Sequence, residues 1–310
     1  MTTPSARALL AALVDYAGLF PPAALSMDDA VAEYARWRRS PEAWMLGRFV
    51  LPASRLTELG RAAEAHLPDP GTGEPWRLSA LLGGDVHGDS SLATSFNRSH
   101  AGRAIVDAVE LKAGSPEEAE AALEALPAGL AAFVEVPLGV ELDGILAVLR
   151  RRGASAKART GGVVPEAIPD PADVARFLAA CAAAGVPFKA TAGLHHAVRA
   201  EHPLADEPGS PRARMHGFLN VFAAAAFARA GAPASDLETV LREEDATAFR
   251  LEGEALAWRG LRVEAEALAS TRRGFATSFG SCSFAEPVAD LRSLGVLAPE
   301  GHPTHPRGVA

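Results

Sequence analysis

Two short segments hold the residue types best suited to chemistry. "FKATAGLHH", residues 188–196, carries Lys189, Thr191 and the adjacent pair His195 and His196, and "ASAKARTGG", residues 154–162, carries Lys157 and Arg159. Residues two apart on a strand share a face, so Lys157 and Arg159 point the same way, as do Glu110 and Lys112 in "AIVDAVELKAG", residues 104–114. Glu135 stands at the end of a further apolar run, "AAFVEVPLG", residues 131–139. Of the chain's 30 basic residues only Lys112, Lys157 and Lys189 are lysines, and all three fall at the ends of expected strands, beside Arg48 and Arg159. Arginine supplies charge anywhere but keeps its proton. A lysine that is desolvated or crowded by cations can lose its proton and act as nucleophile or base. The competing reading is structural: the ammonium groups pair with Glu110 and Glu135 in an ion network.

Other residues fit supporting roles. One of His195 and His196 suits acid–base work or a hydrogen bond to substrate. His216 and Asn220 are four apart on the helix-like run "MHGFLNVFAAAAFARAG" and therefore share a face, which makes them substrate-binding candidates. "FGSCSFAEP" offers Gly280, Ser281 and Ser283 where a strand turns into a helix, a place where free backbone N–H groups hold a phosphate or carboxylate. Cys282 in the same turn reads as a packed thiol, and Asp85, His87 and Asp89 read as a solvated loop. No HExxH is present and no metal ligand set is expected, although His195 with His216 would be the pair to watch for zinc. No cofactor motif occurs, neither GxGxxG nor GxxxxGK[ST].

The elements that must position these groups follow from periodicity. Short apolar runs alternate with amphipathic stretches, the pattern of consecutive βα units. Expected strands cover residues 46–52, 76–84, 104–114, 131–139, 154–162, 186–196, 246–258 and 274–284, the seventh being the weakest because "FRLEGEALAWRG" also reads as a hairpin. Ser115 and Pro116 mark one helix start, and Gly185 marks a helix end. Eight such units predict an α/β fold, a single closed (β/α)8 TIM barrel over residues 40–297, with an N-terminal helical extension over 1–39 and a disordered tail over 298–310. The polar excursion at 197–214 is expected over the barrel mouth. "DYAGLFPPA", with Asp15 and Tyr16, is expected either to plug the bottom of the barrel or to fold over its mouth.

Composition narrows the partners. A 310-residue chain with 48% hydrophobic content can bury a large core. Its net charge of −8 argues against nucleic acid or an anionic membrane surface and for a small molecule. With no long apolar run and two cysteines, 181 and 282, the expectation is a cytoplasmic protein; the oligomeric state is not legible. If the charged strand ends all face inward, the mouth suits a small anionic metabolite.

"FKATAG" and "AKARTGG" resemble the lysine-bearing strand ends of class I aldolases of the deoxyribose-phosphate aldolase type. The resemblance implies a (β/α)8 lyase in which Lys189 forms an imine with a carbonyl substrate and Lys157 lowers its pKa, with Glu110, Glu135 and His195 moving protons and Lys112 in the same catalytic cluster. The order of the two lysine strands is reversed relative to that family, so the nucleophile stays open among Lys189, Lys157 and Lys112. Arg159, Thr191 and the "FGSCS" turn would hold the anionic end of the substrate. The basic strand ends are also similar to the quinolinate-type phosphoribosyltransferase barrel. A metal-dependent hydrolase and a protein that merely binds an anionic metabolite are the other classes weighed.

Overall fold

The computed structural model describes residues 2–139, 142–205 and 207–299. Its sheet is a closed barrel of eight strands, all paired in parallel. In chain order these are β1 (Val14–Tyr16), β2 (Leu46–Pro52), β3 (Trp76–Leu81), β4 (Ala104–Lys112), β5 (Ala131–Glu135), β6 (Ser155–Arg159) and β7 (Phe188–Thr191). A hairpin follows, β8 (Ala200–Pro203) with β9 (Arg212–Met215), then an antiparallel sheet of β10 (Phe249–Glu252), β11 (Ala255–Trp258) and β12 (Leu261–Glu264). The last strand, β13 (Ala276–Ser281), pairs with β7 and β1 and closes the barrel. Helices between the strands form the outer layer, which makes the fold a (β/α)8 TIM barrel.

Local chemistry accounts for the helix boundaries. Ser26 Oγ accepts the Asp29 N–H at 3.1 Å, and Ser115 Oγ accepts the Glu118 N–H at 3.2 Å with Pro116 in the first turn. Asp170 caps the helix Pro171–Ala184 at one end, and Gly185 ends it with φ of 66°, a left-handed conformation that glycine adopts without strain.

Two expectations about the strands are corrected. Residues 246–258 are not a barrel strand; they fold as β10 and β11, and the small sheet packs against the helices Pro4–Leu10, Phe218–Arg229 and Ala265–Gly274 outside the barrel. The missing barrel strand is β1, inside the segment expected to be an extension, and the helix Met27–Trp37 is its crossover to β2. The reason is length: β1 is three residues with a carboxylate at its centre, too short for an alternation to register. The expected tail lies outside the described residues from 300 onward. Among the described residues, no helix is long and apolar enough to cross a membrane.

The excursion after β7 carries the β8–β9 hairpin, and its Leu204 and Met215 cover the C-terminal ends of the barrel strands. The segment after β1 does the same from the other side: Phe20, Pro21 and Pro22 line the cavity there, so "DYAGLFPPA" folds over the mouth and does not plug the bottom.

Candidate functional site

Strand register builds the centre of the site. Glu135 on β5 pairs with Lys157 on β6, and Lys157 pairs with Lys189 on β7, so three charged side chains stand in one row across neighbouring strands. Glu110 enters from β4 and Asp15 from β1. All five point into the barrel and are buried or nearly so. Such a row holds only if each charge meets its opposite.

The pairing is continuous. Asp15 Oδ2 accepts Lys189 Nζ at 2.6 Å and Ser278 Oγ at 2.7 Å, while its Oδ1 accepts the Arg48 backbone N–H at 2.8 Å. Glu110 Oε1 accepts the same Lys189 Nζ at 2.7 Å and Ser79 Oγ at 2.8 Å. The other oxygen of Glu110 lies 2.8 Å from Lys157 Nζ. Lys157 then meets Glu135 Oε2 at 2.9 Å, as an ion contact out of hydrogen-bond alignment, and Glu135 Oε1 accepts Arg159 Nε at 3.1 Å. Carboxylate and cation thus alternate from Asp15 to Arg159.

The electrostatics follow from that alternation. Burial alone would raise the pKa of Asp15 and Glu110, but Lys189, with Arg48 beside the first and Lys157 beside the second, holds both carboxyls below their ordinary values. Glu135 is likewise lowered, burial being outweighed by Lys157 and Arg159. For Lys189 burial works against the charge, and Asp15 and Glu110 overcome it, so its pKa is raised. This overturns the expectation that neighbouring cations depress Lys189. Local spacing offers Lys157 as its neighbour and does not pair it with Asp15, which the fold brings from β1, 174 positions away in the chain.

A cavity of about 330 Å³ opens above this row, with Glu110, Lys157 and Lys189 among its lining residues and Arg159 on its rim. Asp15 and Glu135 lie behind the lysines and do not line it, so at floor and rim a ligand meets the carboxylate of Glu110 and the cations Lys157, Lys189 and Arg159. Thr191, Gly280, His195 and Cys282 also line it. A second cavity of about 620 Å³ lies next to the first and shares Pro22, His195, Leu204, Met215 and Cys282 with it.

His195 stands between the two. Its Nδ1 is 3.2 Å from Glu286, 3.4 Å from Ser281 Oγ and 3.8 Å from Cys282 Sγ. Burial opposes its charge, yet Cys282 and Glu286 raise its pKa to about 10. His196 faces the larger cavity, where its Nδ1 meets Asp290 at 3.2 Å and its ring stacks on His202. Ser283 also lines the larger cavity, and its Oγ accepts the Glu286 N–H at 3.2 Å.

Four expected site residues lie elsewhere. Ser281 is buried and lines neither cavity, its Oγ accepting the Ser283 N–H at 3.3 Å. Lys112 is at the end of β4 with its side chain 75% exposed, 3.7 Å from Glu135, and does not line the cavity. His216 is buried with Nε2 2.9 Å from the Pro169 carbonyl, and Asn220 donates to the Val240 and Glu243 carbonyls and accepts the Arg199 N–H. The helix that carries Asn220 begins only at Phe218, so His216 lies in the link between β9 and the helix and shares no helical face with Asn220; both polar groups are turned to backbone and not to a ligand. Conversely, Asp15, Ser79 and Ser278 were missed as site residues. The one signal for Asp15 was a lone carboxylate in the apolar run "LLAALVDYAGLF". Among the described residues no group of three or more His, Cys, Asp and Glu side chains is arranged to hold a metal ion.

The chain matches no protein-family model and no curated protein. The aldolase resemblance therefore rests on the two lysine segments alone, and the chemistry has to be argued from the geometry.

Proposed function

We propose that the chain is a lyase of the class I aldolase kind, acting on a small anionic carbonyl compound through an imine on Lys157. The observation that carries this reading is Glu110, one carboxylate shared by two lysines that both line the cavity. The choice between the lysines follows from their partners. When Lys157 gives up its proton, Glu110 keeps Lys189 and Glu135 keeps Arg159. When Lys189 gives up its proton, Asp15 is left with one hydroxyl, one backbone N–H and no direct cation. Lys189 is thus the standing ammonium and Lys157 the ammonium that gives up its proton to react, the reverse of the roles implied by the segment resemblance.

In this mechanism Glu110 takes a proton from the Lys157 ammonium, the free amine adds to the substrate carbonyl, and the carbonyl oxygen takes that proton from Glu110 to give a carbinolamine with a protonated nitrogen. Glu110 moves a second proton from that nitrogen to the hydroxyl, which leaves as water and gives a protonated imine. Glu110 then removes the proton of a hydroxyl two carbons away. The carbon–carbon bond breaks, its electron pair flows into the iminium to form an enamine, and a carbonyl fragment leaves. Arg159 on the rim holds the substrate anion, and His195 serves proton transfer on the opposite side.

A second reading is favoured by one observation: each buried ammonium already has two carboxylate partners, as in a structural network around a binding site. The tests separate the two. Borohydride reduction in the presence of phosphorylated and carboxylated aldehydes and ketones, followed by peptide mass mapping, is expected to label Lys157. Label on Lys189 would exchange the two roles. Absence of label on every lysine across the panel would remove the imine mechanism. Lys157→Arg is expected to abolish turnover; under the binding reading it retains most of the ligand affinity.

A further inference from the structure

Above its ionic floor, the smaller cavity has an extended apolar wall, beside His195, Thr191, Cys282 and the turn residues Gly162, Gly193 and Gly280. Phe20 and Pro22 from the segment after β1, Val50 from β2, Leu81 from β3, and Leu204 and Met215 from the β8–β9 hairpin form that wall. Val50, Leu204 and Met215 are buried even with the cavity empty. The polar side chains that line it are as telling. Among the described residues there is no Asn, Gln, Ser or Tyr, and Thr191 carries the one hydroxyl. Ser79 and Ser278 donate to Glu110 and Asp15 under the floor and are not offered to a ligand, and Ser281 lies against His195 without lining the cavity. Backbone does not make up the difference on the walls formed by Val50 and Leu81, because these residues belong to β2 and β3, which are paired in register through Leu51 and Ala80 and through Pro52 and Leu81.

A sugar phosphate or other polyol would press its hydroxyls against these walls, away from water and without partners, at a cost of about tenfold to a hundredfold in affinity for each. A hydrocarbon body loses nothing there and gains about fourfold for each methylene buried. The volume of about 330 Å³ lies at the small end of ligand sites. At the ~30 Å³ that a water molecule occupies in the liquid, it holds roughly ten non-hydrogen atoms.

From these walls we infer that the substrate is an apolar-bodied oxo acid, with its carbonyl at Lys157, its carboxylate toward Arg159, the one hydroxyl that cleavage requires at Glu110, and a branched aliphatic or aromatic body between Phe20 and Met215. The inference rests on the imine reading for the carbonyl and on the wall chemistry alone for the body.

The test is a series of oxo acids at fixed borohydride: pyruvate, α-ketobutyrate, α-ketoisocaproate, phenylpyruvate and hydroxypyruvate, with the rate of adduct formation on the intact protein read by mass spectrometry. The rate constant per concentration is expected to rise about fourfold per methylene, to roughly fiftyfold from pyruvate to α-ketoisocaproate, and to fall below pyruvate for hydroxypyruvate. Met215→Gln, with its fold checked by thermal unfolding, is expected to flatten the series. A flat wild-type series, or a preference for hydroxypyruvate, overturns the apolar body and leaves the imine reading standing. Calorimetry with isocaproate and glycerate, neither of which can form an imine, covers the opposite case. Tighter binding of isocaproate without any adduct on a lysine keeps the apolar body and removes the imine, while equal binding of the two acids counts against the apolar body by itself.

Discussion

Lys157 and Lys189 occupy registered positions on adjacent parallel strands, and the carboxylate of Glu110 from β4 reaches both, one oxygen to each ammonium at 2.8 and 2.7 Å. Two like charges side by side in a barrel interior repel, and the shared carboxylate makes the arrangement stable. It also ties stability and chemistry together, since any change at one lysine is felt at the other.

Removing one member of the row exposes that coupling. Lys189→Met leaves Asp15 and Glu110 buried with an ammonium missing, and is expected to destabilise the protein by about 3–5 kcal/mol in urea denaturation. Adding Asp15→Asn removes the stranded charge and should recover a large part of the loss. Simple additivity of the two changes would show that the pair does not interact as described.

The acid limit of stability follows from the lowered carboxyls. Asp15, Glu110 and Glu135 titrate lower folded than their ordinary 3.8 to 4.5. Their contribution is therefore fully present above the unfolded values and is lost as pH falls through the folded ones. Stability from this row is expected to hold down to about pH 5 and to decline steadily below it. Lys189 acts with the opposite sign: raised above its ordinary 10.5, it contributes fully below that value and loses the contribution as pH climbs above it. Equilibrium unfolding at a range of pH, wild type against Lys189→Met, measures both limbs.

Arg159 and Lys112 sit near the same Glu135, yet only Arg159 reaches the cavity rim. Arg159→Leu is expected to raise KM for anionic substrates by about tenfold or more with a smaller effect on kcat. Lys112→Ala should change stability by less than about 0.5 kcal/mol and leave KM alone. Steady-state kinetics on the two variants distinguishes them; a KM effect at Lys112 equal to that at Arg159 would contradict the placement.

Asn220 provides a control away from the chemistry. It ties the backbone at Arg199 to that at Val240 and Glu243 through three hydrogen bonds. Asn220→Ala is expected to cost about 2–4 kcal/mol of stability with KM unchanged below the melting transition, as thermal unfolding and kinetics together would report.

Much of this molecule was legible in the chain itself. Seven of the expected strands are barrel strands, because runs such as "WRLSALL" and "AIVDAVELK" are long enough to show an apolar pattern and are separated by capped helices. The chemistry-bearing set was also local: the parity of Lys157 with Arg159, and a lysine usage confined to strand ends, singled out two of the three cavity-floor residues, with Glu110 marked by its neighbour Lys112.

Tertiary structure decided the rest, for reasons of range. β1 is three residues long, and only closure against β2 and β13 makes it a strand and sends Asp15 to Lys189, 174 positions away. That one partner reverses the direction of the Lys189 pKa shift, because the net field at a buried ammonium depends on every charge within a few ångströms and not on its neighbours in sequence. Periodicity puts His216 and Asn220 on one helical face, but the helix starts at Phe218, and the fold turns the two to different backbone carbonyls. Residue types and local spacing thus determined which charged groups the chain carries at its strand ends, while the closed sheet determined which of them meet, because electrostatics and cavity shape depend on contacts that no local pattern encodes.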